Sequence, residues 1–248
     1  MTKTDDCVCS IIDIAPTISE LIDVPLPGAN GVVIPEMIDC LQGCDRLILI
    51  IVDSLGYSTY QRLNSAMPHV SGNGTVLRCR AVADHTTPAI ASILTGCSPE
   101  THCILTDDDV CTSPIKSILE RVEECGRRSA VVIANGGAKA MRTKINLVAG
   151  GGDDSDIIAY DAMIAKHSID LLRHEPALTV IHIRAIDRYA HEGRSFDELM
   201  YAAERIDGLI REICSHAGRG TGVIICGDHP IHGAYAWKGR GVALIAFR

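Results

Sequence analysis

Aromatic residues are scarce in this chain, with two Phe, one Trp and six Tyr among 248 residues. So few flat rings leave no stacking platform for single-stranded nucleic acid. No run of Lys or Arg occurs and the formal charge is −8, which disfavours a polyanionic partner such as DNA. No apolar stretch approaches the ~20 residues of a membrane-spanning helix. The N-terminus, Met1-Thr2-Lys3-Thr4-Asp5-Asp6, is polar and acidic, with no long apolar region behind it, so no signal peptide is expected. The paired Cys-x2-Cys spacing of structural zinc sites is missing too: one residue separates Cys7 from Cys9, and three separate Cys40 from Cys44. The 11 cysteines are odd in number, and many sit in apolar runs (Cys79, Cys226) or helix-like stretches (Cys125, Cys214). There a reduced cysteine acts as a small hydrophobe, and the expectation is a cytoplasmic protein without disulfides.

What the chain does have is apolar mass. With 47% hydrophobic and 22% charged residues it can bury a sizeable core. Strand-like runs fall near 46–53, 75–82, 129–134, 178–186, 221–227 and 241–247. Helical periodicity covers 16–23, 57–65, 88–95, 113–125, 159–173 and 196–216. This alternation predicts an α/β fold, a three-layer sandwich around a mostly parallel sheet. One domain over 1–248 is expected, with a small cap or insertion around 105–160. Ser195 and Glu198 form a capping box ahead of the helix at 196–216, whose apolar face includes Leu199, Ala202, Ile206, Ile210 and Ile213. Gly150-Gly151-Gly152-Asp153-Asp154 reads as a loop without the spacing of a phosphate-binding glycine motif.

Three apolar runs end on acids. Leu47–Val52 runs into Asp53; Val180–Ile186 runs into Asp187, with His191 four residues on; Val223–Gly227 runs into Asp228-His229, with His232 beyond. Continuous apolar runs of this length suit strands buried on both faces. In open α/β sheets ligands gather at the carboxyl ends of such strands. The spacing therefore predicts that Asp53, Asp187, His191, Asp228, His229 and His232 meet at one sheet edge, enough donors for two divalent metals. Each residue alone is equally a surface side chain or a turn cap. Pro88 suits the first position of a helix, which makes Thr87 its N-cap and leaves Thr86 just ahead. A hydroxyl at Thr86 faces the helix N-terminus, where a phosphoryl group is favoured; as capping residues both threonines have a simpler use.

Thr86-Thr87-Pro88, Leu94-Thr95-Gly96 and Ser98-Pro99-Glu100-Thr101-His102-Cys103-Ile104 together resemble the nucleophile segment of the alkaline phosphatase superfamily. Its nucleotide pyrophosphatase/phosphodiesterase branch is the nearest in pattern, and the resemblance spans residues 46 to 232. It implies an alkaline-phosphatase-like fold and a metal-dependent phosphoester hydrolase acting on a small molecule. Thr86 would be the nucleophile. One ion would be held by Asp187, His191 and His232, the other by Asp53, Asp228, His229 and the Thr86 oxygen. Zinc suits such mixed His/Asp ligands, with manganese as the alternative. The chain departs from the pattern in places. Asp107 stands where the phosphodiesterases carry a phosphate-binding Asn, Pro230 replaces a Gly, and His232 follows His229 by only three residues. The alternative enzyme is a phosphomutase or sulfatase-like hydrolase, and Asp107 with the compressed Asp-His-x2-His spacing keeps open a binding module of the same fold without turnover. Ser10–Ile22 and Pro25–Gly31 resemble a segment that relatives carry near their C-terminus, which implies a circular permutation with 10–31 packed beside 241–247.

Overall fold

The computed structural model describes residues 7–152, 156–235, 237, 239 and 241–248. The strands are β1 (Cys9–Ser10), β2 (Arg46–Val52), β3 (Thr75–Arg80), β4 (Ser129–Ala134), β5 (Leu147–Gly151), β6 (Leu178–Ile183), β7 (Thr221–Gly227) and β8 (Gly241–Phe247). They form one sheet in the order β1-β3-β8-β7-β2-β6-β4-β5. Only β8 runs against its neighbours; the other described pairs are parallel.

Among the described residues, twelve α-helices flank the sheet. In chain order they are α1 (Ile14–Leu21), α2 (Pro35–Leu41), α3 (Tyr57–Leu63), α4 (Pro68–Asn73), α5 (Thr86–Thr95) and α6 (Pro99–His102). They continue with α7 (Asp107–Thr112), α8 (Ile118–Glu124), α9 (Asn135–Met141), α10 (Ile157–Leu172), α11 (Ala185–His191) and α12 (Phe196–His216). Alternate residues of β2 feed two cores, because successive side chains of a strand point to opposite faces. Leu47, Leu49 and Ile51 pack with Ile14, Met37, Ile93 and Leu119 from α1, α2, α5 and α8. Ile48, Ile50 and Val52 pack with Ile164, Leu199, Ile206 and Ile210 from α10 and α12. The result is the expected three-layer α/β arrangement. No described helix is long and apolar enough to cross a membrane, and the cysteines form no disulfide among the described residues.

The six expected strands are present, and Ser195 caps α12 as the capping box requires: its Oγ accepts from Glu198 N at 3.3 Å, and Glu198 Oε2 accepts from Ser195 N at 2.9 Å. Two strands escaped the sequence reading. β1 is only two residues long. In β5, Gly150 and Gly151 are paired with Ile133 and Ala134 of β4 rather than looped out. Glycine is needed there for closeness, not for freedom: a Cβ on Gly151 would lie 2.6 Å from the Tyr160 ring. Asp153 and Asp154 lie outside the described residues. Within the stretch 105–160, β4 and β5 belong to the central sheet.

The N-terminal segment docks on the β8 side of the sheet. β1 pairs with β3, which pairs with β8, and Ile11, Ile14 and Ile18 are buried in the core that holds Val242 and Leu244. Pro16 is the third residue of α1, and a 3-10 turn at Ile11–Asp13 leads into the helix. The Asp13 carboxylate accepts from Ser10 N at 2.8 Å and Val32 N at 2.9 Å, tying both ends of the segment together.

Candidate metal centre and active site

β7, β2 and β6 are adjacent and parallel at the middle of the sheet, so their carboxyl ends open on one edge. Asp53 directly follows β2 and Asp228 directly follows β7, and both are buried. Asp187 sits in the first turn of α11, after β6. Asp161 of α10 presents it: its two carboxylate oxygens accept from Arg184 N and Ala185 N, each at 2.9 Å, which caps the α11 N-terminus. The burial of Asp161 itself pushes its carboxyl up to about 7.

His229 is the hub. Its Nε2 lies 3.3 Å from Asp53 Oδ1, 3.5 Å from Asp228 Oδ2 and 3.4 Å from Thr86 Oγ1. On the far side of the ring, Nδ1 is 3.1 Å from Pro230 O. A carbonyl can only accept, so in the neutral ring Nδ1 carries the proton and Nε2 turns its lone pair to the cluster. Donor atoms of Asp187, His229 and His232 converge within 4.8 Å, and so do those of Asp53, His182 and Asp228. His191 is at the margin: its side chain is half exposed, with Nε2 3.5 Å from Asp187 Oδ1 and its ring 4.6 Å from that of His232. His229 thus lies against Asp53, Asp228 and Thr86, the partners the resemblance implies for it, and is also within reach of Asp187 and His232, while His182 joins Asp53 and Asp228.

His182, in the interior of β6, was not singled out by sequence, although a histidine inside a fully apolar strand is itself a signal. Its Nε2 lies 3.5 Å from Asp53 Oδ2, and burial holds it down to about 4. Burial also raises Asp53 to about 7, with the Asp187 charge adding to the effect. Asp228 is raised by burial and then by Asp53. For His229, burial pulls the pKa down, but Asp228 and Asp53 outweigh it and the net shift is upward. Burial, then the His229 charge, lowers His232. Asp53 Oδ1, Asp228 Oδ2 and both ring nitrogens of His182 are buried without a hydrogen-bond partner among the described residues. Two carboxylates packed together in low dielectric are costly unless a cation offsets them. The carboxylate and imidazole donors, left open toward one another, fit a divalent metal.

Ser54 is the other residue that sequence reasoning passed over. Its backbone N donates to Asp228 Oδ1 at 3.0 Å and its Oγ to Asp187 Oδ1 at 2.7 Å. To do both it adopts φ of +63°, a left-handed conformation that costs a non-glycine residue on the order of 1–3 kcal/mol. Gly227 makes room for this turn, since a Cβ there would collide with the Leu55 carbonyl.

α5 begins two residues earlier than Pro88 suggested. Ala89 N donates to His85 O at 3.1 Å, so His85 is the N-cap, Thr86 the first helical residue and Pro88 the third. Thr87 is therefore not the cap; its Oγ1 donates to Asp107 Oδ1 at 3.3 Å, tying α5 to α7. His102, buried, accepts from Ile104 N through Nδ1 at 2.9 Å and meets Ser92 Oγ through Nε2 at 3.0 Å, which pins α6 to α5. Asp53, Thr86, Thr87, Asp107, His182, Arg184 and Asp187 all line one cleft.

No protein-family model matches this chain, and no curated protein matches it in sequence. Solved structures do match in three dimensions. Phosphonoacetate hydrolase from Sinorhizobium meliloti aligns with a TM-score of 0.62 at 15% identity, over 75% of this chain and 56% of that one. The chain therefore spans little more than half the length of that enzyme. A protein in the alkaline phosphatase superfamily from Vibrio parahaemolyticus aligns with a TM-score of 0.61 at 12% identity, over 95% of this chain and 67% of that one. A putative sulfatase from Bacteroides thetaiotaomicron gives 0.61 at 11% identity, over 82% and 64%. By its sheet and its flanking helices, this chain carries the fold of the alkaline phosphatase superfamily.

Proposed function

We propose that this chain is a metal-dependent phosphoester hydrolase with Thr86 as nucleophile. The carrying observation is the placement of Thr86 Oγ1 3.4 Å from His229 Nε2, at the edge of a buried donor cluster whose atoms lack hydrogen-bond partners. Asp53, His182 and Asp228 would hold one divalent ion, and Asp187, His229 and His232, with His191 beside them, a second. When bound, such ions supply charge for the attacking and leaving oxygens of an in-line displacement and lower the pKa of a coordinated hydroxyl.

Thr86 forms the bond to phosphorus as the ester oxygen departs with its organic group, leaving a phosphothreonine that water then cleaves. The amides at the start of α5 face the developing phosphoryl charge, and Arg184 brings a fixed positive charge to the same cleft. Asp107 opposes a dianionic phosphate there, which favours diesters over monoesters. Zinc is the proposed metal, with manganese as the alternative.

Sulfate-ester hydrolysis is the competing reading, because sulfatase-like structures share the fold and the Asp107 carboxylate would repel a singly charged sulfate ester less than a phosphate dianion. One assay separates them: bis-nitrophenyl phosphate, nitrophenyl phosphate and nitrophenyl sulfate, each with zinc or manganese. Turnover of phosphate esters, lost with chelator and in Thr86→Ala, is expected. Hydrolysis of the sulfate alone, or of no ester with either metal, would overturn the reading.

A further inference from the structure

The cleft that opens at Asp53, Thr86 and Arg184 continues well past them. It runs between α5 and the sheet and encloses about 280 Å³. Its inner walls are apolar: Ile51 of β2, Val131 and Ile133 of β4, Val180 of β6, and Ile90 and Leu94 of α5. Protein cores hold few voids larger than one water molecule, so a space of this size leading from a candidate active site is a binding volume rather than a packing defect.

The polar groups along the inner part are already engaged within the protein. Thr95 Oγ1 donates to Ala91 O at 2.7 Å and accepts from Cys97 N at 3.2 Å. Ser117 Oγ donates to Glu120 Oε2 at 2.9 Å, and Lys144 Nζ donates to Glu120 Oε1 at 3.2 Å. A sugar or nucleoside entering here would give up its water and find only the Glu120–Lys144 pair and its neighbours to answer its hydroxyls, against walls that are otherwise apolar. An apolar group loses nothing and covers apolar wall.

We infer that this cleft receives the organic group of the substrate, which makes the substrate a phosphoester of an apolar alcohol. The phosphoester half of that statement rests on the function proposed above; the apolar half rests on the cleft. Cleft and mouth together, at about 280 Å³, exceed the ~150 Å³ of an apolar cavity that takes up benzene. That accommodates a single aryl ring or an alkyl chain of roughly six to eight carbons.

The test is calorimetric titration of the zinc-loaded full chain with methyl-, butyl- and hexylphosphonate, each as its methyl monoester and so a monoanion like a phosphodiester, with hexyl sulfate as a fourth ligand. Affinity should rise roughly three- to fourfold per methylene from methyl to hexyl. Ala91→Phe, which narrows the cleft from α5, should return hexylphosphonate to the affinity of methylphosphonate while methylphosphonate binds as before. Val131→Phe narrows it from the sheet and serves if Ala91→Phe does not fold. Affinity independent of chain length, or unchanged hexylphosphonate binding in a folded variant, would overturn the inference and leave the phosphoester reading standing. Binding of hexyl sulfate with no binding of any phosphonate would instead overturn the phosphoester reading, and the phosphoester half of the inference with it.

Discussion

Ser54 Oγ donates to Asp187 Oδ1 at 2.7 Å, so the residue that ends the β2 turn orients an acid 133 positions away on α11. The same serine holds Asp228 through its backbone N. Residues that orient metal ligands typically carry 10–100-fold in metal affinity. Ser54→Ala should therefore lower zinc affinity by about that factor while the far-ultraviolet circular dichroism stays that of the parent. Unchanged affinity would mean that Asp187 needs no orientation from β2.

Thr86 and Thr87 are neighbours with different work. Thr86→Ala should abolish turnover with the fold and metal content intact. Thr87→Ala removes a 3.3 Å contact to Asp107 at the surface, so activity should fall only a few-fold and stability by under ~0.5 kcal/mol. Steady-state rates and thermal melts on both variants decide the point. Surviving activity in Thr86→Ala would remove it as nucleophile.

The buried acids impose a pH signature on the metal-free protein. Asp53 keeps its proton up to about pH 7 in the fold, against ~3.9 in an unfolded chain. Between those values the folded state binds more protons, so stability is full below pH ~4 and is lost as pH rises toward 7. Asp228, also raised, acts in the same direction. His182 opposes them: held down to about 4, it loses stability as pH falls below ~6.5. Metal-free Asp228→Asn should then melt above the parent at pH 8, while zinc raises the melting temperature of the parent far more than that of the variant. A parent that melts higher than Asp228→Asn without metal would contradict the repulsion.

Ile14, Ile18 and Leu244 share one core although they come from opposite ends of the chain. Ile14→Ala should cost about 2–5 kcal/mol in a denaturant titration, and removal of residues 1–31 should unfold the protein. A folded, truncated chain would detach this segment from the core and would remove the basis for proposing a circular permutation.

The central strands were legible because burial on both faces leaves an unbroken apolar run, as in Leu47–Val52, and Asp53 and Asp228 were legible because they end such runs. β5 was hidden because Gly150 and Gly151 answer to the Asn135 and Tyr160 side chains, which only the fold brings near. α11 was missed for a related reason: its cap is Asp161, 24 residues before Ala185. Grouping the ligands needed three dimensions as well. His229 reaches both donor sets because β7 lies beside β2, and no sequence spacing records that adjacency.

The two donor clusters are expected to hold metal. Titrating chelator-stripped protein with zinc at pH 7.5, with bound metal read by elemental analysis, tests this directly. Two ions per chain are predicted, falling to one or fewer in His232→Ala and in Asp228→Asn. Uptake of no zinc or manganese by the folded protein, or uptake unchanged in both variants, would contradict it.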